Sequence, residues 1–119
     1  MSSLGSRLLA SEKRLIELYG EPVTVSRRAT TQGGMVSSQT LTCFARPIRA
    51  EDDVSLKLEG ISNLSAAMPH LFRFAGAADV QEATDEVAYQ GYIYQIVQVT
   101  VRRVDSVTIC TFATGIRDR

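Results

Sequence analysis

The stretch Asp85–Val101, DEVAYQGYIYQIVQVTV, decides how the chain folds. Glu86–Gln90 and Tyr92–Val104 read as two strands joined across Gln90-Gly91. A two-residue loop with Gly in second place supplies the positive φ that a tight hairpin turn needs. Within the second strand the apolar phase changes: Tyr92, Tyr94 and Ile96 are apolar at even positions, then Val97, Val99 and Val101 at odd ones. Side chains alternate faces along a strand, so the buried face switches at Ile96–Val97. A β-bulge makes such a switch and bends a strand between the two sheets of a small barrel. Burial on both faces, by a second sheet or by a partner subunit, is the other reading. Both make this strand the spine of the domain.

Working outward, Val107–Thr114 pairs with the spine across Asp105-Ser106, and Pro69–Gly76 (PHLFRFAG) reads as a strand carrying Leu71, Phe72 and Phe74, followed by a turn region over Ala77–Thr84. Near the N-terminus Val23, Val25 and Arg27 alternate with Thr24, Ser26 and Arg28, which is the pattern of a half-buried strand. Gln39–Ile48 returns as its partner, with Leu41, Cys43 and Ala45 on one face, and Pro47 marks an edge or a bend because it has no N–H. Thr30–Ser38, with Gly33-Gly34 at its centre, forms the polar tip between them. Arg49–Met68 resists assignment. Val54, Leu56 and Leu58 alternate like a strand, Val54, Leu58, Ile61 and Met68 fit a helical stripe, and Gly60, Ser62, Asn63 and Ser65 weaken both. A stretch of this kind reads as a long loop, 49–68.

The first 20 residues read as a helix capped by Ser3 or Ser6, stopped by Gly20 and barred from continuing by Pro22. Leu4, Leu8, Leu15, Leu18 and Tyr19 fall near one face, with Glu12, Lys13, Arg14 and Glu17 mostly on the others. Such a helix either caps the core of its own domain or docks on a neighbouring subunit; in the second case Leu4, Leu8, Leu15 and Tyr19 are the contact. The expected fold is mainly β: one domain over 1–119, with helix 1–20 and a small barrel or sandwich of about six antiparallel strands over 21–116, interrupted by loop 49–68.

The composition excludes several classes. The chain has 119 residues, 45% hydrophobic and 22% charged, which fits a globular domain rather than a disordered one. No apolar run approaches ~18 residues and the start lacks a secretory pattern, so the expectation is a cytosolic product with no membrane contact. Thirteen basic residues balance thirteen acidic ones, against the basic excess of proteins that grip nucleic acid, and near-zero charge favours association. Cys43 and Cys110 lie in apolar runs and read as buried free thiols.

Catalysis needs a constellation, and none is legible. His70 is the one histidine, Gly33-Gly34 lacks the Lys-Ser/Thr of a phosphate loop, and Glu51-Asp52-Asp53 lacks the spacing of a calcium loop and reads as a solvated turn. No catalytic residue, cofactor or metal ligand is assigned. A rival reading is an oligonucleotide-binding barrel with bases stacked on Tyr89, Tyr92 or Tyr94 and charge from Arg27, Arg28, Arg46, Arg49, Arg73, Arg102 and Arg103. Core tyrosines explain the pattern more simply.

Two segments carry a resemblance. Ser3–Arg28, SLGSRLLASEKRLIELYGEPVTVSRR, is similar to the start of head-closure (stopper, or head–tail joining) proteins of long-tailed bacteriophages. Asp85, Val87, Gly91, Tyr94, Ile96 and Val99 resemble that family's D-x-V-x-x-x-G-x-x-Y-x-I-x-x-V hairpin. The resemblance implies a virion protein at the head–tail interface, made in the bacterial host cytoplasm. It would be a homo-oligomer, typically a hexameric ring, between portal/adaptor proteins and the tail terminator or other tail proteins, with double-stranded DNA passing through the lumen without sequence-specific binding. A tail-completion or tail-terminator-type connector is the nearest alternative. The resemblance matches loop 49–68 to a channel-lining or plugging loop, with Glu51, Asp52, Asp53, Lys57 and Glu59 as the gating candidates. Its Ser, Ala and Leu content leaves an inter-subunit arm as the alternative. Counterion release makes a basic lumen sticky for DNA, so Glu51, Asp52 and Asp53 are expected near the channel.

Overall fold

The structure is a computed structural model, and it describes residues 3–27, 37–48 and 69–117. Among these, a helix α1 (Leu4–Tyr19) precedes six strands: β1 (Glu21–Arg27), β2 (Ser37–Pro47), β3 (His70–Ala75), β4 (Asp85–Tyr89), β5 (Tyr92–Val104) and β6 (Val107–Ile116). All pairings are antiparallel, and the order β1-β2-β3-β6-β5-β4 closes through β1–β4 into a barrel. The mainly β expectation holds, with a barrel rather than an open sandwich.

The period-two patterns account for the interior. Val23, Val25, Cys43, Phe72, Phe74, Val87, Tyr94, Ile96 and Ala113 point inward and form one cluster, with Leu41, Ala45, Tyr89 and Val99 packed against it. Each large apolar side chain fully buried here stabilises the fold by roughly 1.5–3 kcal/mol. The segment read as a turn, Ala77–Thr84, does more than connect. Val80 from it is buried in the same cluster, so the segment also contributes a side chain to the core.

The spine behaves as its phase change requires. Ile96 pairs with Gly115 and Gln98 with Thr114, which leaves Val97 as the extra residue of a bulge. Tyr94 and Ile96 enter the core before it and Val99 after it. The outer ends of the apolar run differ from expectation: Tyr92 and Val101 are exposed, Tyr92 lying beyond the last β5–β6 pair, Gln95↔Ile116, and Val101 beyond the last β4–β5 pair, Glu86↔Gln95. The two hairpin turns among the described residues have positive φ at their central residues, Gln90 and Gly91 in one, Asp105 and Ser106 in the other. These are the mirror-image turns whose twist matches that of the flanking strands.

The helix corrects the sequence reading. It does cap the barrel, but not with its leucine face. Gly5, Glu12 and Ile16 are buried, whereas Leu4, Leu8, Leu15, Leu18 and Tyr19 are exposed. Ser3 caps the helix by accepting from Ser6 N at 3.1 Å. The inward face is set by close approach and by charge. A Cβ on Gly5 would lie 2.1 Å from the Val104 carbonyl oxygen, so only glycine lets the first turn sit against the β5–β6 hairpin. One and two turns later, Leu9 reaches Gly76 and Glu12 reaches Arg73. Periodicity alone favoured the wider leucine stripe because it cannot see that a glycine and a paired glutamate make a tighter fit.

Candidate functional site

Two ion pairs, each with a buried carboxylate, bind the elements together. Arg27 continues the inward phase of Val23 and Val25, and an arginine on that phase needs an acid. Asp85, at the start of β4 with no solvent exposure, takes Arg27 Nε at 2.8 Å and Nη2 at 3.0 Å. The same guanidinium donates to Asp79 at 2.8 Å. Asp85 also accepts from the Gln81 N–H at 2.8 Å and the Thr84 hydroxyl at 3.2 Å. Burial alone would push the Asp85 carboxyl up; the hydrogen bonds from Arg27, Gln81 and Thr84 outweigh it and hold the group below the usual carboxylate range. The hollow beside this cluster, about 210 Å³, is lined by Val25, Ser37, Ser38 and Gln39 together with the ion pairs. Its carboxylates are all engaged by Arg27, so the cluster locks β1 to β4 and leaves no free acid–base pair.

His70 lies in an aromatic group, its ring centroid 4.7 Å from that of Tyr94 and 6.3 Å from those of Phe72 and Tyr89. Tyr89 donates to the Glu21 carboxylate at 2.7 Å, and burial followed by that carboxylate pushes its hydroxyl up to about 12. The three tyrosines considered for base stacking are therefore not an open platform. Tyr94 is core, Tyr89 is tied to Glu21, and the Tyr92 ring carries the Arg117 guanidinium 3.8 Å from its centroid. Arg27 and Arg73, counted from sequence as surface charge, are both committed to internal carboxylates. Cys43 and Cys110 are buried free thiols, as read from sequence. Among the described residues no cluster of His, Cys, Asp and Glu could hold a metal ion, and no helix is long and apolar enough to cross a membrane.

The feature best suited to an interaction is a surface. The outward face of α1 presents Leu4, Leu8, Leu15, Leu18 and Tyr19, with Leu18 and Tyr19 63% and 71% exposed. All four residues named from sequence as a subunit contact, Leu4, Leu8, Leu15 and Tyr19, are on it. Beside Leu8 and Leu15 a hollow of about 210 Å³ opens between helix and sheet, floored by Ile109 and Cys110 and rimmed by Arg102. Five large apolar side chains along one helix face are more than isolated exposure and mark an interaction surface. The other named group, Glu51, Asp52, Asp53, Lys57 and Glu59, lies outside the described residues, as does the whole of loop 49–68 and the tip at Gly33-Gly34.

Sequence reasoning missed both ion pairs. The signal for Arg27–Asp85 was present, an arginine in register with Val23 and Val25. For Glu12–Arg73 there was none, since Glu12 sits among charged neighbours on an amphipathic helix. No protein-family model and no curated protein sequence matches the chain.

Proposed function

We propose that this chain is a structural subunit of a bacteriophage neck. In this reading copies form a ring, six-membered in the family it resembles, between the portal/adaptor complex and the tail. The ring closes the filled head and offers the tail its docking surface. The observation that carries the reading is the leucine face of α1, left 38–71% exposed although the helix itself is firmly seated on the barrel. A seated helix that turns its apolar stripe outward is built to be covered by another chain. The order of the two motif segments supports the particular assignment. The motif positions of the second segment also have defined places: Asp85 in the buried ion pair, Gly91 in the tight turn, Tyr94 and Ile96 in the core, Val99 just after the bulge.

The test has two arms. The reading frames beside the gene should encode a portal, a capsid protein and an adaptor on one side and tail proteins on the other. The purified chain, alone or with that portal–adaptor complex, should form rings visible by negative-stain electron microscopy. Neighbouring genes unrelated to virion assembly, or a chain that stays monomeric and ignores the complex, would sink the proposal. Tight, salt-sensitive binding to single-stranded oligonucleotides would favour the nucleic-acid reading instead.

A further inference from the structure

The barrel closes through β1 and β4, but β4 is only five residues long against thirteen in β5. Its pairing with β5 runs from Tyr89↔Tyr92 to Glu86↔Gln95 and stops there. Just beyond, the incoming chain supplies two substitutes. The Ala83 N–H donates to the Ile96 carbonyl at 2.9 Å, and the Glu82 carboxylate accepts from the Val99 N–H at 2.9 Å. After Val99, no strand among the described residues pairs with this side of β5, while β6 continues to pair with its other side as far as Val104↔Val107. The ribbon of Thr100–Val104 and Val107–Phe112 thus has an open edge on the β4 side among the described residues, and its tip beyond Arg102↔Cys110 extends past the last β3 pair, Ala75↔Cys110. The outer end of this ribbon is held by α1 through Gly5, whose N–H donates to Asp105 at 3.3 Å.

The free edge has a definite chemistry. Backbone groups alternate sides along an antiparallel strand, so with the Val99 N–H directed at Glu82 the outward-facing residues that follow are Val101 and Arg103. Thr100, Val101, Arg102 and Arg103 are all exposed. Arg102 and Arg103, being consecutive, point to opposite faces of the ribbon, and neither makes an ion pair among the described residues. Glu82 already shows what the edge accepts: a carboxylate seated on an edge N–H.

We infer that the β5 edge at Val101–Arg103 is a strand-addition site for an extended segment of a partner protein carrying two consecutive acidic residues. The partner's backbone pairs with the N–H and C=O groups of Val101 and Arg103. Its two acids fall on opposite faces and meet Arg103 on one and Arg102 on the other. Backbone pairing supplies affinity and the two guanidiniums supply register, in the manner of other strand-addition modules. This inference does not depend on the neck assignment.

The test uses the full chain and a fluorescein-labelled peptide, Thr-Val-Glu-Glu-Val-Thr-Val, followed by fluorescence anisotropy. Saturable binding is expected, weakened about tenfold or more by Val101→Pro. Proline there removes an outward N–H and no ladder bond. The same loss is expected for a peptide N-methylated at alternate amides, which leaves the protein untouched should the proline variant misfold. It is also expected for Arg102→Glu/Arg103→Glu and for a peptide with Lys-Lys in place of Glu-Glu. No binding up to ~1 mM, or binding indifferent to N-methylation, overturns strand addition. Binding indifferent to both charge reversals overturns the acidic partner. Self-association of the chain in sedimentation equilibrium that disappears in Val101→Pro makes the occupant a second copy, which also overturns it.

Discussion

Glu12 and Arg73 join the helix to the barrel: the Arg73 Nε and Nη2 groups donate to the two oxygens of the Glu12 carboxylate at 2.5 and 2.6 Å. The two ends differ in exposure, 7% for the Glu12 side chain against 38% for Arg73, which also has its guanidinium 5.8 Å from the Phe112 ring centroid. Removing one partner therefore has unequal consequences. Arg73→Ala strands a buried carboxylate and is expected to cost about 3 kcal/mol. Glu12→Ala leaves a cation that can reach water, within a helix that favours alanine, and is expected to cost about 1 kcal/mol. Urea unfolding of both variants checks this; equal losses would mean that the pair acts only through packing.

The Asp85 cluster makes stability depend on pH. The folded Asp85 carboxyl lies below its unfolded range, since the Arg27 and Gln81 bonds more than offset its burial. Its contribution is therefore present above about pH 4 and is lost as pH falls through the lower folded value. Asp85→Asn keeps the shape and removes the charge. We expect the variant to be about 2–3 kcal/mol less stable than wild type at neutral pH, with the gap closing as both are acidified below pH 4. Denaturant midpoints from pH 7 downward measure the gap, and one that stays constant would assign the loss to geometry instead.

The two cysteines should be chemically silent in the folded protein. Both have no solvent exposure. Burial, followed by the nearby Glu21 carboxylate, pushes the Cys43 thiol up to about 12, and burial also raises Cys110. The thiolate is the reactive form, so at pH 8 Cys43 should react with an aromatic disulfide reagent on the order of 10³-fold more slowly than a free thiol. Addition of urea should restore the rate in step with unfolding. Fast labelling of the native chain would contradict the burial.

β1, β4 and β5 were legible because each carries one buried face, so that period two survives from Val23–Arg27 through the spine, whereas β6 is buried at consecutive positions and was placed by the turn before it. The bulge at Val97 was legible too, since only an extra residue lets Tyr94, Ile96 and Val99 share a core. The helix was legible as an element but not in orientation. Its buried face is made by Gly5 and Glu12, whose fit depends on the Val104 carbonyl and on Arg73, far away in sequence. The strand-addition edge was hidden for the same reason. Nothing local to β5 reveals that its pairing with β4 stops at Glu86↔Gln95, or that Glu82 takes the last covered N–H.

The β5–β6 turn offers a gain in stability. Asp105 and Ser106 have φ of 52° and 65°, a region that costs a side-chain-bearing residue about 1 kcal/mol or more. Asp105 has a reason to stay, because its carboxylate accepts the Gly5 N–H. Ser106→Gly should relieve strain without touching that contact and raise stability by about 0.5–1 kcal/mol, read as a higher urea midpoint. Gly91→Ala, at φ 81° in the other turn, should move it the opposite way by a similar amount.

The helix provides the sharpest separation of folding from assembly, because its two faces do different work. Deleting residues 1–20 would strip Ile16 and Glu12 from the sheet and uncover Cys110, so loss of assembly after that deletion would say nothing about the leucine face. Leu4→Glu with Leu18→Glu changes only side chains that are 51% and 63% exposed, neither of them lining the hollow that holds Glu12. The double variant should unfold within about 0.5 kcal/mol of wild type and yet fail to form the assembly proposed above. Gly5→Ala should do the reverse at the level of folding, because its Cβ would collide with the Val104 carbonyl, and its melting temperature should drop by several degrees. Light scattering and electron microscopy on the leucine variant decide the matter. Rings of normal size from a protein bearing two glutamates on that face would show that α1 is no part of the contact.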